Sequence, residues 1–176
     1  MWHRVFDRIQ HCRVPVIAAL RGAVIGGGLE LACAAHIRVA EPSAYFALPE
    51  GQRGIFVGGG GSVRLPRLIG VARMADMMLT GRVYSAAEGV TLGFAQYLTE
   101  AGGALAKAME LADKIAGNAP LTNFAVLQAL PMIAESNPQA GLIMESLMAT
   151  VAQSDKEAKQ RIRDFLDRKT AKGRPG

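Results

Sequence analysis

The first hundred residues alternate between short apolar blocks and polar or glycine-rich segments, a pattern that predicts an α/β fold. A helix is expected up to residue 11, because Trp2, Val5, Phe6 and Ile9 fall at i, i+3, i+4 and i+7. Short apolar runs predict buried strands at residues 14–20, 37–40, 44–48 and 94–99. Further helices are expected at residues 29–35, 62–69 and 71–79, and after a capping box of Ser85 and Glu88.

The remainder of the chain shows only helical patterns. Asn-Ala-Pro and Asn-Pro breaks divide it, which predicts helices at residues 104–116, 120–135, 139–152 and 155–168. No internal repeat or long linker separates this part from the rest. We therefore predict an α/β part over residues 1–101 and a helical part over residues 102–176.

Composition narrows the class of protein. The chain has 176 residues, half of them apolar, and a formal net charge of +5. No apolar run reaches the roughly 18–20 residues of a membrane span, so no membrane partner is expected. Cys12 and Cys33 form neither a disulfide framework nor a zinc-ligand spacing. We expect no metal and a reducing compartment, the cytoplasm.

A cluster of basic residues near the C-terminus raises the question of an anionic partner. Aromatic residues are not interleaved with it, so we expect no nucleic acid and interpret it as a solvated helix face followed by a frayed tail. The cluster consists of Arg161, Arg163, Arg168, Lys169, Lys172 and Arg174.

Three consecutive glycines, Gly26 to Gly28, lie between an apolar run and a predicted helix. Backbone N–H groups at such a helix start attract negative charge, either a phosphate or a developing oxyanion. The spacing to Ala32 and the acid at Glu41 imitate a dinucleotide-binding fingerprint. Glu30 in the first helical turn would repel a pyrophosphate, and the predicted helix is short for a parallel crossover. Both observations favour the oxyanion.

Two glutamates accompany the glycines. Glu30 follows them directly, and Glu50 opens a glycine-rich loop twenty positions later. Paired carboxylates that flank one reacting centre can act as base and acid. Spacing alone does not show that they converge, and Glu30 as a first-turn acid with Glu50 as a surface charge is an equally good interpretation.

The segment RVPVIAALRGAVIGGGLELACAAHIRVAEPSAYFALPEGQRGIFVGGGGSVRLPRLIG carries a family likeness. It resembles the signature of the enoyl-CoA hydratase/isomerase (crotonase) family: a strand, a GGG-x-E helix start, F-x-x-P-E, a glycine run and an R-L helix. The later block MLTGRVYSAAEGVTLGFAQYL and the closing helices are also similar to family members. The likeness covers nearly the whole chain.

The resemblance implies a crotonase-like spiral of ββα units, present here in part, with a C-terminal helical region that assembles homotrimers or hexamers. It implies an acyl-CoA substrate whose coenzyme A is part of the substrate, with no separate cofactor. Family members that add water to 2-enoyl-CoA place catalytic groups at the positions of Glu30, Glu50, Gly27 and Gly58. By analogy Glu30 would activate the water and Glu50 supply the α-proton. The Gly27 N–H would bind the thioester oxygen, and the Gly58 N–H would help to hold the water.

Other functions stay open at this point. An enoyl-CoA isomerase or another acyl-CoA reaction could use the same positions, and an inert assembly module would need only the helical part. By comparison with the family, we expect the strands that carry the second oxyanion donor and much of the adenine pocket to be missing ahead of this segment. For a chain truncated in this way we expect poor stability and weak or no activity. His36 replaces an acid common in the family, and we expect it to be structural.

Overall fold

A computed structural model describes residues 2–166 of the chain. They form two compact units that divide between Ile115 and Ala116. The strands are β1 (Ile17–Leu20), β2 (Ala23–Ile25), β3 (Ile37–Ala40), β4 (Tyr45–Ala47), β5 (Val83–Ser85) and β6 (Tyr97–Leu98). The helices are α1 (Trp2–Gln10), α2 (Gly27–Ala34), α3 (Gly61–Ile69), α4 (Val71–Thr80), α5 (Ala86–Leu92), α6 (Ala104–Ala116), α7 (Pro120–Glu135), α8 (Pro138–Ser154) and α9 (Lys156–Leu166).

The first four strands of the first unit alternate between two small sheets, and β5 and β6 add one strand to each. One sheet has the order β1-β3-β6 with parallel neighbours, in the register Ile17 to Ile37 and Val39 to Tyr97. The other has the order β2-β4-β5, in which β2 and β4 are parallel and β5 is antiparallel to β4. Two strands, one in each sheet, are followed by a helix, and this ββα unit is repeated. The arrangement confirms the predicted crotonase-like spiral.

Two strands differ from the sequence prediction. Residues 23–25 were expected to be part of a glycine-rich loop but form β2, and β5 was not predicted at all. Each has only three residues, too few for a recognisable period, and each exists through pairing with β4. Pairing partners distant in sequence therefore decided both strands.

The main core of the first unit lies between the second sheet and its helices. The Phe46 ring stacks on Phe94 with 4.8 Å between centroids, and Tyr84 packs at 5.5 Å from Phe94. Leu65, Ile69 and other helical side chains complete this cluster. Phe46 and Ala47 of β4 are buried, whereas β3 carries the charged Arg38 between Ile37 and Val39.

A smaller apolar cluster joins α6 to the first sheet. Ala104, Ala108 and Leu111 pack with Val39 of β3, and Ile17 and Ile37 flank the contact. This packing includes α6 in the first unit, so the two units divide later in the chain than the predicted limit at residue 101.

The second unit, described by itself, consists of α7, α8 and α9. Helix α8 packs against both α7 and α9. Few of the large apolar side chains of this unit are buried, and Leu127 of α7 is one of them. The exposed ones are Phe124, Val126, Leu130, Met132, Leu142, Ile143, Leu147, Val151, Ile162, Phe165 and Leu166.

Part of the predicted basic cluster lies outside residues 2–166, namely Arg168, Lys169, Lys172 and Arg174. Arg161 lies on α9 and is paired with Glu157 of the same helix. None of the helices in the described part of the chain is both long and apolar enough to cross a membrane.

Candidate active site

The glycine turn between β2 and α2 forms the centre of the candidate site. Gly26 has φ 53° and ψ −123°, a backbone conformation that residues with a Cβ rarely adopt. Its N–H donates to the Ala47 carbonyl of β4 (3.0 Å), and its carbonyl accepts the Glu30 N–H (2.9 Å). Gly27 and Gly28 are exposed in the first turn of α2. Their N–H groups have no intrahelical acceptor, because they precede the first helical hydrogen bond.

Glu30 is held by main-chain amides from a second glycine segment. Its residue surface is 5 % exposed. The Oε1 atom accepts hydrogen bonds from the N–H groups of Gly59 and Gly61, both at 2.7 Å. Two N–H donors on one oxygen fix the orientation of the carboxyl group. The side chain is therefore a buried, oriented acid rather than a solvated helix-start acid.

Glu50 is also buried, with 8 % of its surface exposed, so the alternative of a loop surface charge is wrong. It directly precedes a 3-10 turn over Gly51–Arg53. The N–H groups of Arg53 and of Ile55, just beyond the turn, donate to the Glu50 carbonyl. The carboxyl group lies against Gly26: a Cβ built on that glycine would be 2.6 Å from Glu50 Oε1. Glu50 Oε2 is buried and has no hydrogen-bond partner among residues 2–166.

The two predicted glutamates thus meet the same glycine turn. Glu50 contacts the space beside Gly26, and Glu30 is bonded through its own N–H to the Gly26 carbonyl. The exposed Gly27 N–H belongs to the same turn. The structure thus brings the Glu30 main chain and the Glu50 carboxyl group to one turn, while the Glu30 carboxyl group lies at Gly59 and Gly61.

Gly58 is exposed, and the amides that bind Glu30 are those of Gly59 and Gly61. Neither residue was predicted from the sequence. The available signal was the run of four glycines that leads into α3, because backbone without side chains can approach a carboxyl group closely. The role of Gly58 stays a prediction.

Two other candidate residues take no part in chemistry. His36 Nδ1 accepts the Val16 N–H (2.9 Å), so its proton is on Nε2, which is 3.0 Å from the Gln10 carbonyl oxygen. Burial lowers the pKa of His36 below its ordinary value. Burial likewise raises the pKa of the Cys33 thiol to about 12, against a smaller opposing effect of Arg38. His36 is structural, as predicted, and Cys33 is not a thiolate at neutral pH.

Arg38 is a buried cation that the sequence did not mark. Its Nε donates to the Phe94 carbonyl and its Nη1 to the Ala35 carbonyl, both at 2.7 Å. Burial lowers its pKa from the ordinary value. These bonds connect β3 to the chain before β6 and to the end of α2, which supports a structural role. In the part of the chain that the structure describes, no three His, Cys, Asp or Glu side chains are grouped as metal ligands would be.

The sequence was compared with models of known families. The model described as enoyl-CoA hydratase/isomerase matches residues 2–173. The chain belongs to the enoyl-CoA hydratase/isomerase family. The membership agrees with the ββα spiral and confirms the resemblance identified from the glycine and glutamate motifs.

Members of this family with solved structures share the fold closely. One crystal structure is of a protein from Rhodopseudomonas palustris CGA009 that is named as a candidate enoyl-CoA hydratase. Its sequence is 84 % identical to this chain and the TM-score is 0.93. The match covers 98 % of this chain and 67 % of the Rhodopseudomonas chain. The enoyl-CoA hydratase of Bacillus anthracis is 32 % identical with a TM-score of 0.89, over 95 % of this chain and 65 % of its own.

Curated relatives include proteins of different lengths. The fatty acid oxidation complex subunit alpha of Shewanella loihica is 36 % identical over 97 % of this chain and 25 % of its own length. A probable enoyl-CoA hydratase of Bacillus subtilis is 34 % identical over 94 % of this chain and 65 % of its own length. The chain therefore spans about a quarter of the first relative and about two thirds of the second.

Proposed function

We propose that this member of the family adds water across the double bond of a 2-enoyl-CoA thioester. The observation that carries the proposal is that two buried glutamates meet one glycine turn, Glu30 through its main chain and Glu50 through its carboxyl group, beside the exposed residue Gly27. The names of the relatives, among them enoyl-CoA hydratases, support the same chemistry.

The Gly27 N–H is the proposed donor to the thioester carbonyl oxygen. Addition at C3 shifts negative charge onto that oxygen, as in an enolate, before C2 is protonated. A fixed N–H at the start of α2 stabilises this charge without reorganisation. Removing one such donor from an oxyanion hole typically costs about 3–4 kcal/mol.

The two carboxyl groups divide the proton transfers. Glu30, as a carboxylate, accepts a proton from water while the water oxygen forms a bond to C3. The π electrons move toward the carbonyl oxygen, and C2 then takes a proton from Glu50. The proton gained by Glu30 and the proton lost by Glu50 balance, and the product is a 3-hydroxyacyl-CoA.

The different surroundings of the two carboxyl groups support this division. Glu30 Oε1 is bonded by two amides, which orient it. Glu50 Oε2 is buried and has no hydrogen-bond partner among the described residues, so a bound group in the site would satisfy a polar atom that is costly to leave unpaired. Coenzyme A enters as part of the substrate, and we propose no separate cofactor or metal.

Assembly through the helical part, residues 102–176, stays a prediction. Helices α7 and α8 carry apolar side chains on several faces and leave most of the large ones exposed. Exposed apolar surface of this extent is characteristic of a protein interface. It supports assembly through this part of the chain, and homotrimers or hexamers are the form that the family resemblance implies.

Two glutamine variants test the proposal. Glu30→Gln and Glu50→Gln should each lower the rate of crotonyl-CoA hydration roughly 10²–10⁴-fold, the usual effect of losing a general acid or base. Exchange of the α-protons of butyryl-CoA in D2O should be lost in Glu50→Gln and largely kept in Glu30→Gln, because exchange needs no water addition. The matched control is Glu110→Gln, which makes the same change at an exposed acid on α6.

Other outcomes would replace the proposal. Full hydration activity in either glutamine variant would remove that carboxylate from the mechanism. A protein that converts 3-enoyl-CoA to 2-enoyl-CoA but never hydrates the product would be an isomerase instead.

A further inference from the structure

The glycine segment that holds Glu30 is itself held by one side chain. Arg64, in the second turn of α3, is 9 % exposed at its side chain. Its Nη1 donates to the Gly59 carbonyl at 3.0 Å. The N–H of Gly59 donates to Glu30. The guanidinium and the carboxylate therefore hold the same glycine, one through its carbonyl and the other through its amide.

Arg64 also connects this segment to α1. Its Nε donates to Gln10 Oε1, and its Nη2 lies 3.6 Å from Asp7 Oδ1. The Phe6 ring of the same helix lies against Gly59, where an added Cβ would be 2.6 Å from Phe6 Cε2. One planar cation thus fixes the glycine segment to a helix on its other side.

Such a clamp has a physical reason. Gly58 to Gly61 are four consecutive glycines, which lose more conformational entropy on ordering than any other residues. Gly60 has φ 93°, and a Cβ there would collide with the Arg64 guanidinium. The amides of Gly59 and Gly61 lie on either side of the peptide bond whose carbonyl Arg64 binds. Loss of the Arg64 side chain therefore removes the restraint on both N–H groups that donate to Glu30.

We propose that Arg64 is a positioning residue for Glu30, which it serves through the Gly59 carbonyl and the amides of Gly59 and Gly61. The inference rests on the proposed function for its effect on the rate. The effect on the glycine amides is independent of that function. Lysine cannot replace the guanidinium fully, because one ammonium group cannot reach Gly59, Gln10 and Asp7 in the same fork geometry.

The first measurement is steady-state kinetics of crotonyl-CoA hydration. Arg64→Met should lower kcat roughly 10- to 100-fold, the scale of a small misplacement of a catalytic group, with KM changed less than about threefold. Arg64→Lys should recover part of the loss. Arg73→Met, which removes a guanidinium bonded to the Ile69 carbonyl, is the control and should match the parent protein.

The second measurement separates positioning from general structural damage. In a Glu30→Gln background, Arg64→Met should cost less than about threefold in kcat, because the group that it positions no longer acts. Fully multiplicative losses in the double variant would overturn the inference.

The third measurement needs no activity. Hydrogen exchange at the Gly59 and Gly61 amides should become about 10-fold faster in Arg64→Met, while exchange in β1 and β3 stays unchanged. Unchanged exchange at both glycines would overturn the inference, whatever the kinetics. If the parent protein does not hydrate 2-enoyl-CoA, the proposed function fails and the exchange result alone decides the role of Arg64.

Discussion

The two carboxyl groups of the site lie in regions that hold them by different means. Around Glu30, hydrogen bonds dominate: two glycine amides bind Oε1, and Arg64 fixes those amides. Around Glu50, close packing dominates: the carboxyl group contacts the Gly26 turn, and Oε2 has no partner in the described residues. A bonded carboxylate has a fixed orientation before substrate arrives, whereas the unbonded oxygen is left for a substrate to satisfy.

This difference explains why glycine is required on both sides for separate reasons. At Gly59 and Gly61 the amides bind Glu30, and a Cβ would come within 2.6 Å of Phe6 Cε2 at the first residue and 2.8 Å of Glu30 Cγ at the second. At Gly26 the absence of a Cβ makes the room that Glu50 occupies. Adding a single methyl group on each side therefore tests the comparison.

The largest effect is expected for Gly26→Ala. The new Cβ would lie 2.6 Å from Glu50 Oε1 at a residue with φ 53°, so both the carboxyl group and the backbone must move. Hydration and α-proton exchange should both fall roughly 10²–10³-fold, because Glu50 serves both. Kinetics with crotonyl-CoA and proton exchange with butyryl-CoA measure the two rates. Gly28→Ala is the folding control, since nothing lies within 4 Å of its Cβ position. Equal loss of stability in both variants would contradict the assigned cause.

A smaller and more selective effect is expected for Gly61→Ala. Its Cβ would lie 2.8 Å from Glu30 Cγ and Oε1, which displaces the carboxylate from its two amides. Alanine is otherwise suitable at the first residue of α3, so the fold should persist. Hydration should fall roughly 10- to 100-fold and α-proton exchange much less, because only Glu30 moves. A variant in which exchange falls as much as hydration would show that the two regions are not separable.

The smallest effect concerns His36, which lies outside both regions. Because the pKa of His36 is lowered in the folded protein, the unfolded chain binds the proton more readily than the folded one. The contribution of His36 to the free energy of unfolding is therefore fully present above pH 6.5 and declines as the pH falls below that value. The decline is at most about 1.4 kcal/mol per pH unit. His36→Asn should remove this part of the pH dependence, measured by urea unfolding between pH 7.5 and 5.5. Identical pH profiles for the two proteins would show that His36 is not responsible.

Much of the fold could be predicted from local signals. The periodicity of α1, the capping box at Ser85 and the proline breaks before α7 and α8 were sufficient, and the structure confirms them. The strands β2 and β5 could not be predicted, because three-residue segments have no period and depend on β4. Glu30 and Glu50 were recognisable as a pair, but their burial and their common turn were not.

The amino-acid sequence by itself determined where helices begin, where glycine permits a positive φ, and which two acids accompany the glycine turn. The first two features depend on residues close together in the sequence, and each of the two acids was marked by its own short motif. Only the tertiary structure decided that Gly59 and Gly61 bind Glu30, that Glu50 lies against Gly26, and that Arg64 bonds the same glycine segment. The contacts of Glu30 with Gly59 and Gly61 and of Glu50 with Gly26 join residues more than twenty positions apart, and the bond from Arg64 to Gln10 of α1 joins residues more than fifty positions apart. They exist because the spiral brings separate loops together, and no local pattern records such a contact.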